Sequence, residues 1–302
     1  MRIAKIASGR MMGGREPQCV HPAFCQYGDP GAAGPVLIAV PHAGREYSAD
    51  LIARARVGLP GLQALEDRHA DLLATQAIAA GHPAIIARRG RAVLDLNRHE
   101  GEIDSASVAG IPHGVAMRAS VKLRGGLGLV PHRYHSMGDL WLRRPGYAEV
   151  AERIRDIHTP YHGEIARLLA MIRAVHGAAI LIDLHSMPPI RAQAGQGVNV
   201  VLGDRFGHSA SPAITRLAAG IVASHGFTVA INVPYAGGYT LERHGNPDRA
   251  VHALQVEVDR SLYLDAALGE AGPGAARCMR MVEDLANRFA SFLGEQQPLA
   301  AE

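Results

Sequence analysis

Aromatic residues are scarce in this 302-residue chain, at 5% of the total, which argues against the stacked-base platforms used to bind single-stranded nucleic acid. Charge of one sign is also scarce. Thirty-one basic residues face 28 acidic ones, and the net charge of +3 comes without a block of like charge, so the sequence predicts neither a nucleic-acid nor a membrane partner. No apolar run reaches the ~18 residues that a membrane span requires. Residues 1–14 carry charges and glycines but no continuous apolar segment of the signal-peptide kind. Cysteine is rare too, present only as Cys19, Cys25 and Cys278. An odd count at that spacing predicts neither a disulfide framework nor a cysteine-rich zinc site, and reads as reduced thiols in a cytoplasmic protein.

What is present suits an ordinary globular α/β protein: 48% hydrophobic and 20% charged residues, with neither an internal repeat nor a linker. Residues 1–34 are rich in glycine, proline and polar side chains and predict an irregular lead-in. A single domain is expected over 35–294, with a mixed sheet flanked by helices and a short tail at 295–302. Short β-branched runs predict strands at 35–40, 84–87, 92–96, 178–182, 199–202, 229–233 and 253–258. Apolar residues spaced three and four apart predict helices at 62–80, 150–172 (with Pro160 as a kink or break), 211–225 and 275–293. In 253–258 the side chains alternate, with Leu254, Val256 and Val258 on one face and Gln255, Glu257 and Asp259 on the other. The neighbouring strands are so apolar that this one is expected to lie inside the sheet, where an unpaired carboxylate is costly.

Several strands end in polar groups, and ligands of open α/β sheets bind outside the carboxyl ends of strands. The run Ile180-Leu181-Ile182 gives way to Asp183-Leu184-His185-Ser186; residues 35–40 run into Pro41-His42-Ala43-Gly44; and 92–96 leads to Asp95-Leu96-Asn97-Arg98. Taken singly, each histidine is equally a hydrogen-bonded turn residue, and the acids at 66–71 are equally a solvated helix face. Taken together, His42, His185 and an acid from that cluster make two imidazoles and a carboxylate, the donor set of a catalytic zinc site with an open position. Glu257 is then the carboxylate placed to move protons. Arg98 and Arg243 are candidate forks for a substrate carboxylate. The glycine-rich stretch 125–131 lacks the lysine and helix of a phosphate loop and is expected to lie over the site.

The motifs Pro41-His42-Ala43-Gly44, Asp95-Leu96-Asn97-Arg98, Pro160-Tyr161-His162 and Asp183-Leu184-His185-Ser186, followed by the segment from Arg243-His244-Gly245-Asn246-Pro247 to Glu257, resemble the N-formylglutamate amidohydrolase family. Order and spacing agree from about residue 35 to 265. The resemblance implies a zinc carboxypeptidase-like fold and one zinc ion per chain held by His42, Asp67 and His185, with Glu66 as the alternative acid. It implies Glu257 as general base and then acid, and Asn97, Arg98 and Arg243 as substrate-binding residues. Asp183, Ser186, Asn199, Tyr235 and His244 are expected to line the pocket or support the ligands, as are His69, Asp71 and His162. The implied reaction is hydrolysis of an N-formyl amino acid, by family default N-formyl-L-glutamate, to formate and glutamate, a step of histidine catabolism. Alternatives are a metal-dependent deacylase or carboxypeptidase-like enzyme acting on another N-acyl amino acid, or a non-catalytic small-molecule binding protein. Residues 99–146 match no motif and leave the acyl group and amino acid open. Oligomeric state is not readable.

Overall fold

The computed structural model describes residues 18–30, 34–134, 137–190 and 197–295. At its centre is an eight-stranded mixed sheet. In chain order the strands are β1 (Gln18–His21), β2 (Phe24–Tyr27), β3 (Val36–Val40), β4 (Ala84–Ala87), β5 (Ala179–Met187), β6 (Val200–Gly203), β7 (Val229–Ile231) and β8 (Val251–Asp259). Their spatial order is β1-β2-β4-β3-β5-β8-β6-β7. The inner strands β4, β3, β5 and β8 run parallel, while β2 joins β4 and β6 joins β8 in the antiparallel sense.

Strand pleating divides the core into two layers. Ile180 and Ile182 of β5 and Leu254 and Val256 of β8 pack on one face against helix Ala275–Glu295, which buries Cys278, Met281, Val282, Leu285 and Phe289. Leu181 and Ala253 point to the other face and meet helix α1 (Thr159–His176) through Tyr161, Ile165, Leu168 and Leu169. Each such buried aliphatic side chain contributes roughly 1.5–3 kcal/mol relative to exposure. Because alternate residues share a face, the α1 face continues along β5 to Asp183 and His185, and along β8 to Gln255 and Glu257. The polar residues therefore emerge together at the carboxyl ends of adjacent strands. Strand β8 is paired on both sides, as expected for an internal strand.

Four local expectations are corrected. The lead-in is not irregular throughout, since β1 and β2 form a hairpin on the sheet edge; four-residue strands either side of Pro22 are too short to show a period. That hairpin sets Cys19 against Cys25, and the two form a disulfide with a Cα–Cα distance of 4.2 Å, whereas Cys278 is free and buried. The expectation of reduced thiols fails for this pair because the facing of two cysteines depends on a hairpin that sequence spacing does not reveal. Residues 92–96 form turns instead of a strand. The helix expected over 62–80 is broken into short pieces, Gly58–Gln63, Ala70–Leu73 and Thr75–Ala79, and His69 is left-handed at φ 56°. The helix expected at 150–172 is continuous but changes pitch. A π-helical turn at Ile154–His158 leads directly into α1, with Pro160, which has no N–H to donate to the preceding turn, just after the change of pitch. The tail beyond residue 295 lies outside the described residues. None of the described helices is long and apolar enough to cross a membrane.

Candidate metal centre and active-site cleft

Three buried side chains from distant parts of the chain converge at the carboxyl edge of the sheet. His42 follows β3, His185 lies in β5, and Asp67 sits in the break between two helical pieces. The Asp67 N–H donates to the carbonyl of His42 at 3.0 Å, so the backbone itself ties the two segments. One donor atom from each residue lies within 4.8 Å of the others. Asp67 Oδ2 is 2.9 Å from His185 Nδ1 and 3.4 Å from His42 Nδ1, and the two rings meet edge-on at 4.7 Å.

The outer nitrogens of both rings are held. His42 Nε2 donates to Asp95 Oδ1 at 2.7 Å, and His185 Nε2 to Asp183 Oδ2 at 3.0 Å. A proton fixed on each outer nitrogen leaves a lone pair on each Nδ1, aimed inward. Asp67 is fixed as well: Arg260 donates through Nη2 to Oδ1 at 3.0 Å and through Nε to Ser186 Oγ at 3.0 Å, turning Oδ2 toward the histidines. Three lone-pair-bearing atoms thus face one point. His42 Nδ1 is buried and has no hydrogen-bond partner among the described residues, an arrangement that costs free energy unless a cation completes it. The donor set fits a divalent metal of the zinc type.

Electrostatics point the same way. Burial pushes the Asp67 carboxyl up, but His185 and His42 outweigh it and hold the group well below the usual carboxylate range. Burial alone would lower His185, yet Asp183 and Asp67 drive it well above the usual imidazole value, so a proton between Nδ1 and Asp67 Oδ2 competes with a cation for that lone pair. The cluster draws positive charge to its centre. Asp95, also fully buried, is kept ionised against the burial penalty by Arg91, His42 and Arg98, with Arg91 Nε donating to its Oδ2 at 2.8 Å.

Glu257 stands level with His185 across the parallel ladder and lines the same cleft. Gln255 Nε2 donates to its Oε1 at 2.9 Å. Burial raises Glu257 to about 7; His185 opposes the rise and Asp67 adds to it. A carboxyl poised near neutrality can both accept and return a proton. The cleft has a volume of about 210 Å³, below the range of drug-sized ligand pockets and suited to a molecule of amino-acid size.

The other expected residues divide. Asn97, Arg98, Ser186 and Tyr235 line the cleft. Arg98 is buried and donates through Nε to the Leu127 carbonyl at 2.9 Å and through Nη1 to its neighbour's carbonyl at 2.7 Å. Its Nη2 has no hydrogen bond among the described residues. The Asn97 amide is engaged on both sides: Oδ1 accepts from the Thr240 N–H at 2.9 Å, and Nδ2 donates to Gln255 Oε1 at 3.4 Å. Gly238 packs so close to this amide that a Cβ there would fall 2.3 Å from Oδ1.

Glu66 is buried but turned away, bound by Tyr47 at 2.8 Å and Arg68 at 2.9 Å, and stands outside the donor cluster. Arg243 stands outside the cleft lining. It lies in helix Tyr239–His244, donates to the Tyr239 hydroxyl at 2.6 Å, and does not line the cleft, because that helix turns it toward Glu100. Asn199 bonds the Thr228 backbone at 3.1 Å and serves the β6–β7 junction. His244 is behind the cleft, bonded to His162 at 3.0 Å. His162 in turn donates to the Leu96 carbonyl at 2.8 Å, and His158 to the Arg98 carbonyl at 2.9 Å, so two histidines clamp the turn that carries Asn97 and Arg98. His69 faces Gly269 and Asp71 pairs with Arg45, both away from the cleft.

Sequence reasoning missed Arg91, Lys122, Gln255 and Arg260 as cleft-lining residues. Two of them carried a signal. Gln255 shares the polar face of β8 with Glu257, and Arg260 directly follows that strand. Of the 31 basic residues only Lys5 and Lys122 are lysines, but neither period nor motif surrounds Lys122. Of the stretch 125–131, Leu127 lines the cleft, and Tyr134 beyond it does so too.

Residues 34–264 match the N-formylglutamate amidohydrolase family. A relative from Pseudomonas aeruginosa, an N-formylglutamate deformylase, is 31% identical over 76% of this chain and 82% of its own length. A second N-formylglutamate deformylase, from Pseudomonas putida, is 27% identical over the same shares. The crystal structure of N-formylglutamate amidohydrolase from Ralstonia eutropha JMP134 superposes with a TM-score of 0.83 at 29% identity, covering 91% of this chain and 99% of that one.

Proposed function

The chain belongs to the N-formylglutamate amidohydrolase family, and from that membership we propose that it hydrolyses N-formyl-L-glutamate to formate and L-glutamate with one zinc ion per chain. His42, Asp67 and His185 would hold the ion through Nδ1, Oδ2 and Nδ1. When bound, such an ion polarises a carbonyl and makes water nucleophilic near neutral pH.

The remaining chemistry falls to the chain's own groups. Glu257 takes a proton from the attacking water, at Oε2, since Oε1 is engaged by Gln255. A carbon–oxygen bond forms at the formyl carbon. The carbon–nitrogen bond then breaks as Glu257 returns the proton to the departing amine. Arg98 binds the substrate α-carboxylate through its uncommitted Nη2, while Asn97 positions the loop at Gly238 and Thr240. Asp95 and Asp183 keep the two imidazoles in the ligating tautomer.

The observation that carries this reading is the inward-facing trio of His42 Nδ1, Asp67 Oδ2 and His185 Nδ1 beside a carboxyl raised to about 7. The test is purified protein assayed for amine release from N-formyl-L-glutamate, with metal content measured alongside. Activity should track zinc at one ion per chain, vanish with chelator and return on zinc addition. Turnover that ignores metal removal would overturn the proposal.

A further inference from the structure

With Arg243 outside the cleft, one of the two carboxylates of an N-formyl dicarboxylic amino acid has no assigned partner, and four cations line the wall: Arg91, Arg98, Lys122 and Arg260. Three are already committed. Arg91 serves Asp95, Arg260 serves Asp67 and Ser186, and Arg98 is held by two carbonyls with one nitrogen to spare. Lys122 differs. It sits in the short helix Val121–Arg124, with its ammonium 5.7 Å from the Tyr235 ring centroid, and that ammonium makes no hydrogen bond or ion pair among the described residues.

Lys122 is exposed as a residue, but its ammonium reaches the cleft, where partial burial lowers it below its usual value and repulsion from Arg98 and Arg91 adds to this, against a weaker pull from Glu257. An ammonium held near two guanidiniums is relieved when an anion enters between them. We propose that Lys122 is the specificity-determining residue for the substrate side chain, pairing with its γ-carboxylate while Arg98 holds the α-carboxylate, and that Tyr235 steadies the ammonium through its ring face. This rests on the proposed function above and assigns the end of the substrate remote from the formyl group. It also gives residues 99–146 a role, because their helix brings a point charge to a cleft otherwise walled by arginines.

The test compares N-formyl-L-glutamate with N-formyl-L-glutamine, which has the same shape without the side-chain charge, in the wild type, Lys122→Met and Lys122→Arg. A hydrogen bond to a charged group is worth about 1.5–3 kcal/mol, so Lys122→Met should lower kcat/KM for the glutamate substrate roughly 10- to 100-fold. The change should fall mainly in KM and leave the glutamine substrate within about twofold. Lys122→Arg should restore much of the preference. Equal losses on both substrates, or an unchanged preference in Lys122→Met, would overturn the assignment. Wild-type protein with no activity on N-formyl-L-glutamate would instead overturn the parent reading. In that case calorimetric binding of free glutarate to the metal-loaded protein still decides: weakened by Lys122→Met if the site is real, unchanged if it is not.

Discussion

Glu257 and His185 are register partners in the parallel pair β5–β8, so the carboxyl proposed to move protons and one candidate ligand ring share a face of the sheet at the same height. No loop intervenes to set their separation. The relation fixes a carboxyl beside the inward-facing donors without recruiting it to them, because Gln255 holds its Oε1. Replacing Glu257 by Gln keeps the shape and removes the proton carrier. The expected outcome is an intact protein with zinc still at one ion per chain and kcat reduced by at least 10²–10⁴. Steady-state kinetics with metal analysis on the same sample checks it, and near-normal turnover would remove Glu257 from the mechanism.

Asp67 and Glu66 are neighbours in sequence with opposite fates. Asp67 meets both imidazoles, whereas Glu66 is bound by Tyr47 and Arg68. Asp67→Asn should release the metal, since a carboxylate donor is lost from the cluster. Glu66→Gln should retain metal and activity while lowering thermal stability, because a buried, charge-assisted contact to Arg68 is weakened. Metal content after dialysis distinguishes them; zinc lost from the Glu66 variant alone would reverse the ligand assignment.

Arg98 and Arg243 give a second contrast. Arg98→Gln should raise KM for N-formyl-L-glutamate by roughly 10- to 100-fold through the loss of a charge-assisted contact. Arg243→Ala should leave KM within about twofold, for the side chain reaches Tyr239 and Glu100 and not the cleft. The pair of KM values is the measurement, and a large effect at Arg243 would mean that helix Tyr239–His244 moves on substrate binding.

The elements that periodicity captures were legible: β3, β5, β8, α1 and the terminal helix lie where apolar spacing puts them. His42, His185 and Glu257 were legible for a related reason, each standing where an apolar strand turns polar. Asp67 was narrowed only to a cluster, because the helix expected there is broken and its break is a tertiary effect. Arg243 and Asn199 fall outside the cleft lining, and His244 backs the Asn97–Arg98 turn through His162, because helix and strand-end geometry that spacing does not reveal sets where these side chains go. Lys122 lay in a stretch without period or motif. The hairpin that joins Cys19 to Cys25 is built from strands too short to carry either.

The histidines behind the cleft make the last prediction, one of stability against pH. His244 is buried, and burial, with Arg243 and His158 adding to it, lowers its pKa to about 3; His162, bonded to it, is also pushed well below the usual value by burial first. In the unfolded chain such a ring titrates near 6.5. Between those values the unfolded state takes up a proton that the native ring refuses. The stability these rings contribute is therefore complete above about pH 6.5 and is lost as pH falls toward 3. At pH 5 the cost reaches about 2 kcal/mol for a single such ring. His244→Gln removes the titrating group and keeps an amide that can donate to His162 Nδ1, so its unfolding free energy should fall less than the wild type's between pH 7.5 and pH 5, by about that amount. Denaturant unfolding at the two pH values measures the difference, and parallel falls in both proteins would mean that His244 takes up its proton without unfolding the clamp on the Asn97–Arg98 turn.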